Sequence, residues 1–168
     1  MRLLSVVTLL CAVATASPAP PVVQRVTELW RAYSGKIGDH FYTADYSEYN
    51  NAVTNLGFAA EGVACRIQTT RVGNTVPLYR MYSPRDGDHF YTTSAAERDN
   101  AVQNLGYNNE GVTGYVYPQS SDDTVPFYRA YNGKIKDHFY TVNAVEMDNA
   151  VRRLGYSFEG IAAYVFSP

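Results

Sequence analysis

His40, His89 and His138 each sit in the same five-residue word, Asp-His-Phe-Tyr-Thr, at positions 39–43, 88–92 and 137–141. The histidines are separated by 49 residues both times (89 − 40 and 138 − 89). Each word brings an imidazole, a phenol and a carboxylate into one short stretch. That mixture suits a sugar, whose C–H faces stack on rings while its hydroxyls take directed hydrogen bonds. Hydrolysis asks for something different: one asymmetric constellation, such as two carboxylates of unlike acidity or a nucleophile beside an oriented base. Here every polar residue of interest occurs three times, and there is no Gly-x-Ser-x-Gly, paired-histidine metal motif or phosphate loop. The expectation is therefore a binding protein, not an enzyme, with no cofactor. Three histidines converging on one axis would form a His₃ zinc site; none has a second histidine or a cysteine close in sequence, so no metal is expected.

A fixed period of this size marks a chain of stacked copies of one supersecondary unit. Fifteen positions are identical in all three copies, and in the first copy they are Arg31, Tyr33, Asp39, His40, Phe41, Tyr42, Thr43, Glu48, Asn51, Ala52, Val53, Leu56, Gly57, Glu61 and Gly62. Asp45, Ser94 and Asn143 read as helix N-caps, with Glu48, Glu97 and Glu146 three residues on completing a capping box. Ala52, Val53 and Leu56 give an apolar stripe at helical spacing, and Gly57, Gly106 and Gly155 stop each helix in the left-handed conformation. Aromatic-rich runs such as "LYRMY" and "DHFYTT", joined by "SPRDG", read as hairpin strands, and "EGVTGYVYP" as a third strand. The predicted fold class is α+β: three tandem strand–strand–helix–strand repeats, at about 27–76, 76–125 and 125–168, closing into a compact pseudo-threefold domain.

With caps and core subtracted, five positions remain in each copy. They are Arg31, Asp39, His40, Tyr42 and Glu61, then Arg80, Asp88, His89, Tyr91 and Glu110, then Arg129, Asp137, His138, Tyr140 and Glu159. Alternation along a strand puts His40 and Tyr42 on one face and Asp39, Phe41 and Thr43 on the other. With Phe41 in the core, His40 and Tyr42 face a ligand, as do His89 and Tyr91, and His138 and Tyr140. Tyr115 and Tyr164, outward on the third strand, complete the expected carbohydrate site. The first copy has Arg66 at that position, so copies two and three are expected to be the competent ones. Each arginine needs a carboxylate, from Asp39 or Glu61 and their counterparts, in a structural ion pair. A structural reading stands beside this one, with arginine clips joining neighbouring units and each His–Tyr pair lining a unit boundary.

The outer segments bear on location. Met1-Arg2, an apolar stretch over 3–13 and Ala14-Thr15-Ala16 fit a secretory signal peptide at 1–16, too short to span a bilayer. Residues 17–25 are a Pro-rich lead-in, and 26–168 form a single repeat domain. An extracellular protein without a membrane span is expected. Without Arg2 the chain keeps thirteen basic and sixteen acidic residues, a balance that argues against nucleic acid. Cys11 leaves with the signal, so Cys65 is expected as an unpaired, buried thiol.

The words "PLYRMY", "DHFYTT", "E…NAV.NLGY" and "EGV.GYVYP" resemble a family of secreted tandem repeats of unknown function, found in fungi and bacteria alone or appended to hydrolases. The resemblance covers residues 29–166. It implies an exported repeat domain with attachment to glycan or cell-wall polysaccharide, and brings no catalytic residues with it. The expected function is a lectin-like, multivalent carbohydrate-binding protein. The alternative is an exported protein-interaction or structural module.

Overall fold

A computed structural model describes residues 26–168; the expected signal peptide at 1–16, the lead-in at 17–25 and Cys11 lie outside the described residues. The elements run β1 (Val26–Ser34), β2 (Asp39–Thr43), α1 (Tyr46–Asn55), β3 (Ala59–Gln68), β4 (Val76–Ser83), β5 (Asp88–Thr92), α2 (Ala95–Asn104), β6 (Asn108–Val116), β7 (Thr124–Asn132), β8 (Asp137–Thr141), α3 (Ala144–Arg153) and β9 (Ser157–Phe166). All nine strands belong to one antiparallel sheet. Strand accounts for 50% and helix for 21% of the described residues. The expected α+β class is thereby corrected to a mainly antiparallel β architecture with three short helices.

The physical reason lies in what each element buries. β1 pairs along its length with both β2 and β3, and β4 and β7 do the same with their neighbours. Each helix buries only one or two side chains: Tyr49 and Ala52 on α1, Ala101 on α2, Met147 and Ala150 on α3. The expected apolar stripe is narrower than three residues, because Leu56, Leu105 and Leu154 stand at the C-caps, largely exposed. Asp45, Ser94 and Asn143 do accept backbone N–H groups at the helix starts. Gly57, at φ 79°, ends α1 in the left-handed region that a side chain disfavours, and the following Phe58 N–H closes back onto the Ala52 carbonyl.

The three strand groups are stitched together at the C-terminal ends of β3, β6 and β9, where Gln68 faces Tyr115, Arg66 faces Phe166 and Tyr117 bridges Tyr164. The approach is so close that a Cβ on Gly114 would stand 2.9 Å from the Gln68 carbonyl, so no larger residue fits there without a shift. Leu29, Cys65, Ile67, Leu78, Val116, Phe127 and Val165 fill the core around Tyr42, Tyr91 and Tyr140. Cys65 is a free buried thiol, pushed up in pKa by burial.

Candidate functional site

β2, β5 and β8 each pair with one neighbouring strand only, leaving the N–H groups of the histidine and the tyrosine of each word without a ladder partner. An open edge of this kind is a template for unwanted strand pairing. Here the next segment's side chains cap it. Asp137 accepts from the backbone N–H of His40 at 2.8 Å and bonds the same residue's Nδ1 at 2.6 Å. Asp39 does this for His89 and Asp88 for His138, so the cycle closes. The tyrosines form a second cycle. Tyr91 donates its hydroxyl to the Tyr42 carbonyl at 2.6 Å and accepts the Tyr42 N–H at 2.8 Å. Tyr140 serves Tyr91 in the same way, and Tyr42 serves Tyr140. Each hydroxyl thus donates and accepts at once, and burial pushes all three phenols well above their ordinary pKa.

These contacts correct the expected faces of the repeated word. Tyr42, Tyr91 and Tyr140 do not face a ligand; each is at most 1% exposed. Alternation described two faces of an isolated strand, but β2 is buried at all five positions because neighbouring segments cover both faces. Tyr115 and Tyr164 are also placed elsewhere. They lie half-buried opposite Pro77 and Pro126 near the stitched strand ends, away from the histidines. The carboxylates, not the histidines, converge: oxygens of Asp39, Asp88 and Asp137 lie within 4.8 Å of one another, already engaged by the histidine donors.

The arginines tie the segments together outside this ring. Arg31 places Nε 2.8 Å from Glu61 and its two terminal nitrogens 3.1 and 2.8 Å from Glu146, with its guanidinium over Phe139. Arg80 takes Glu110 and Glu48 in the same way, and Arg129 takes Glu159 and Glu97. The partner of each arginine within its own segment is therefore Glu61, Glu110 or Glu159, and not Asp39, Asp88 or Asp137. The expected capping boxes are also corrected. Thr43 Oγ1 takes the Asp45 N–H, and the Glu48 carboxylate accepts from Thr43 while pairing with Arg80. Burial pulls these glutamates upward in pKa, but the arginine and threonine hydrogen bonds outweigh it and hold Glu48, Glu97 and Glu146 below the ordinary value. Burial likewise opposes the charge on Arg31 and Arg80, and their glutamate hydrogen bonds lead the effects that hold them above the ordinary value.

Beside the first clip a cleft of about 410 Å³ opens between β1–β2 and α3, lined by Tyr33, His40, Glu61, Ile135, Phe139, Glu146, Asn149, Ala150, Leu154 and Tyr156. His40 stands between Tyr33 and Phe139, at centroid distances of 4.4 and 4.8 Å. Its Nδ1 faces Asp137, and its Nε2 stands 3.9 Å from Glu61. Eight of the ten lining positions, all but Ile135 and Tyr156, belong to the fifteen identical in every copy. Residues 28–166 match the family model for a domain of unknown function, DUF5648. The chain belongs to the DUF5648 family. No curated protein and no solved structure matches it.

Within this DUF5648 domain, sequence reasoning passed over two cleft residues. Asn149 and Leu154, with Asn51, Asn100, Leu56 and Leu105, are identical in all copies yet exposed on their helices. Triple identity at exposed positions was the available signal; assigning leucine to a stripe concealed it. The domain also carries an asymmetry at its aspartates. Tyr107 donates its hydroxyl to Asp88 at 2.6 Å and Tyr156 donates to Asp137, but Phe58 holds the matching place beside Asp39. The Phe41–Phe58 ring separation, 6.0 Å, equals that of Phe90–Tyr107. Phe58→Tyr is therefore expected to give buried Asp39 its third donor and raise stability by about 1–2 kcal/mol. A urea midpoint that stays put or falls would contradict this.

Proposed function

We propose that the protein is an exported, non-enzymatic, lectin-like domain that binds glycan, with one sugar-sized cleft at each boundary between a hairpin and the preceding segment's helix. The observation that carries this reading is the lining of the 410 Å³ cleft by eight triply identical residues, among them the exposed Asn149 and Leu154. Asn51 and Asn100 accept from Asn55 and Asn104 one turn on, but the third helix has Arg153 at that place, and burial explains neither the asparagine nor the leucine. A carboxamide, an imidazole nitrogen and carboxylate oxygens beside Tyr33 and Leu154 offer directed hydrogen bonds and apolar surface together, as sugars require. Arg31 holds Glu146 in its charged form, below its ordinary pKa; a general acid needs the opposite shift. The signal-like start of the sequence supports export.

Glycan-array screening of the processed protein, followed by the triple change Asn51→Ala, Asn100→Ala and Asn149→Ala, tests the reading. The variant is expected to lose at least about tenfold in affinity, since an unpaired sugar hydroxyl costs roughly 1–3 kcal/mol. Its melting temperature should hold, because exposed substitutions stay within about 0.5 kcal/mol. Unchanged affinity in the variant, or an array with no binding, refutes the cleft as a glycan site. A second reading, a protein-interaction module, draws on the exposed Val145, Phe158 and Ile161 of the third segment. Partner capture that free sugar does not compete would favour it.

A further inference from the structure

One edge of the first segment has no counterpart in the other two. Trp30 on β1 meets Tyr46 edge-on at 5.1 Å and Tyr49 at 5.1 Å, and the two tyrosines are 5.9 Å apart. The matching positions hold Tyr79, Ala95 and Arg98 in the second segment and Tyr128, Ala144 and Met147 in the third. Tyr49 is buried and anchors the group, whereas Tyr46, the first residue of α1, is 58% exposed. Helix formation does not call for it, since alanine starts both other helices and has the higher propensity. A polar cleft of about 340 Å³ opens nearby: Thr43, the cross-strand partner of Trp30, and Asp45, the chain neighbour of Tyr46, both line it, as does Glu48. Arg80 and Glu110 also line that cleft, as does Thr113, whose hydroxyl has no protein partner among the described residues.

We propose that the exposed ring of Tyr46, with Trp30 edge-on against it, is a stacking platform for the flat C–H face of an equatorially substituted pyranose, with the nearby polar cleft receiving the hydroxyls of the next sugar in a β-1,4-linked chain. None of Asn51, Asn100 and Asn149 lines this site, and it rests on the glycan-binding reading above. A pyranose with all-equatorial substituents presents its axial C–H bonds as an apolar face, which aromatic rings accept while the ring edges keep their hydroxyls in water. A platform alone would take any apolar ligand; the polar cleft beside it selects one that alternates apolar faces with hydroxyls.

Trp30 is the only tryptophan in the chain, so its fluorescence reports on this edge alone. The full-length processed protein is titrated with cellohexaose and with chitohexaose, following tryptophan emission and, separately, the heat of binding. A saturable emission change is expected with at least one of them. Tyr46→Ala should weaken it at least tenfold, Tyr46→Phe should retain it, and the triple asparagine variant should retain it as well. Heat of binding without an emission change, or full affinity in Tyr46→Ala, overturns the platform and leaves the asparagine-lined clefts to stand on their own test. No binding of either hexaose also overturns the platform, while the glycan array still decides the clefts.

Discussion

Tyr91→Ala is expected to destabilise the domain by about 3–5 kcal/mol through loss of a core aromatic ring, lowering the melting temperature by about 10–20 °C. The ring lies in T-shaped contact with Tyr42 and Tyr140 at 5.4 and 5.6 Å. The hydroxyl adds a separate cost, because it serves both the N–H and the carbonyl of Tyr42. Tyr91→Phe keeps the ring and isolates that cost, expected at about 1–3 kcal/mol for each backbone group left unpaired. Alkaline titration gives a second reading of the same burial. The folded phenols titrate above their ordinary value of 10.0, so their contribution is intact below pH 10 and is lost as pH rises further. Tyrosinate absorbance from these three groups should appear only with unfolding. A Tyr91→Ala protein within about 1 kcal/mol of the parent would show that the tyrosine cycle does not hold the segments together.

The other large effect belongs to the carboxylates. Asp137 is fully buried and accepts from the His40 N–H, the His40 ring and the Tyr156 hydroxyl. Asp137→Ala strands three donors at once, and removal of one partner from a buried pair costs about 3–5 kcal/mol. Asp39→Ala supplies the internal comparison. Asp39 accepts from His89 twice and has Phe58 where a tyrosine would donate, so its loss should cost about 1 kcal/mol less. Chemical denaturation of both variants measures the difference. Equal costs would mean that the tyrosine hydroxyls contribute nothing to the ring of aspartates.

Much of the local structure was legible in the sequence because its causes are local. Asp45, Ser94 and Asn143 cap their helices through bonds to residues two or three positions away, and Gly57 stops α1 through a backbone angle that depends on no distant contact. Which residues recur was legible too, since the 49-residue period marks them without any structure. Their orientation was not. Asp39 caps His89 from 50 residues away and Asp137 caps His40 from 97 away, and no strand period records which neighbour will cover an open edge. Register shifts at Leu29/Trp30 and Arg31/Ala32 break the alternation of β1, so Leu29 and Ala32 are both buried. Arg31 had two candidate carboxylates within its own segment; assembly gave Asp39 to His89 and left Glu61 for the guanidinium. The cleft itself is joint property of β1–β2, β3 and α3, with His40 and Asn149 brought together across 109 residues (149 − 40). The chain alone determined which side chains recur, because composition and period are properties of sequence; only the tertiary structure decided which of them keep a face toward solvent, because that depends on what packs against each strand from elsewhere in the chain.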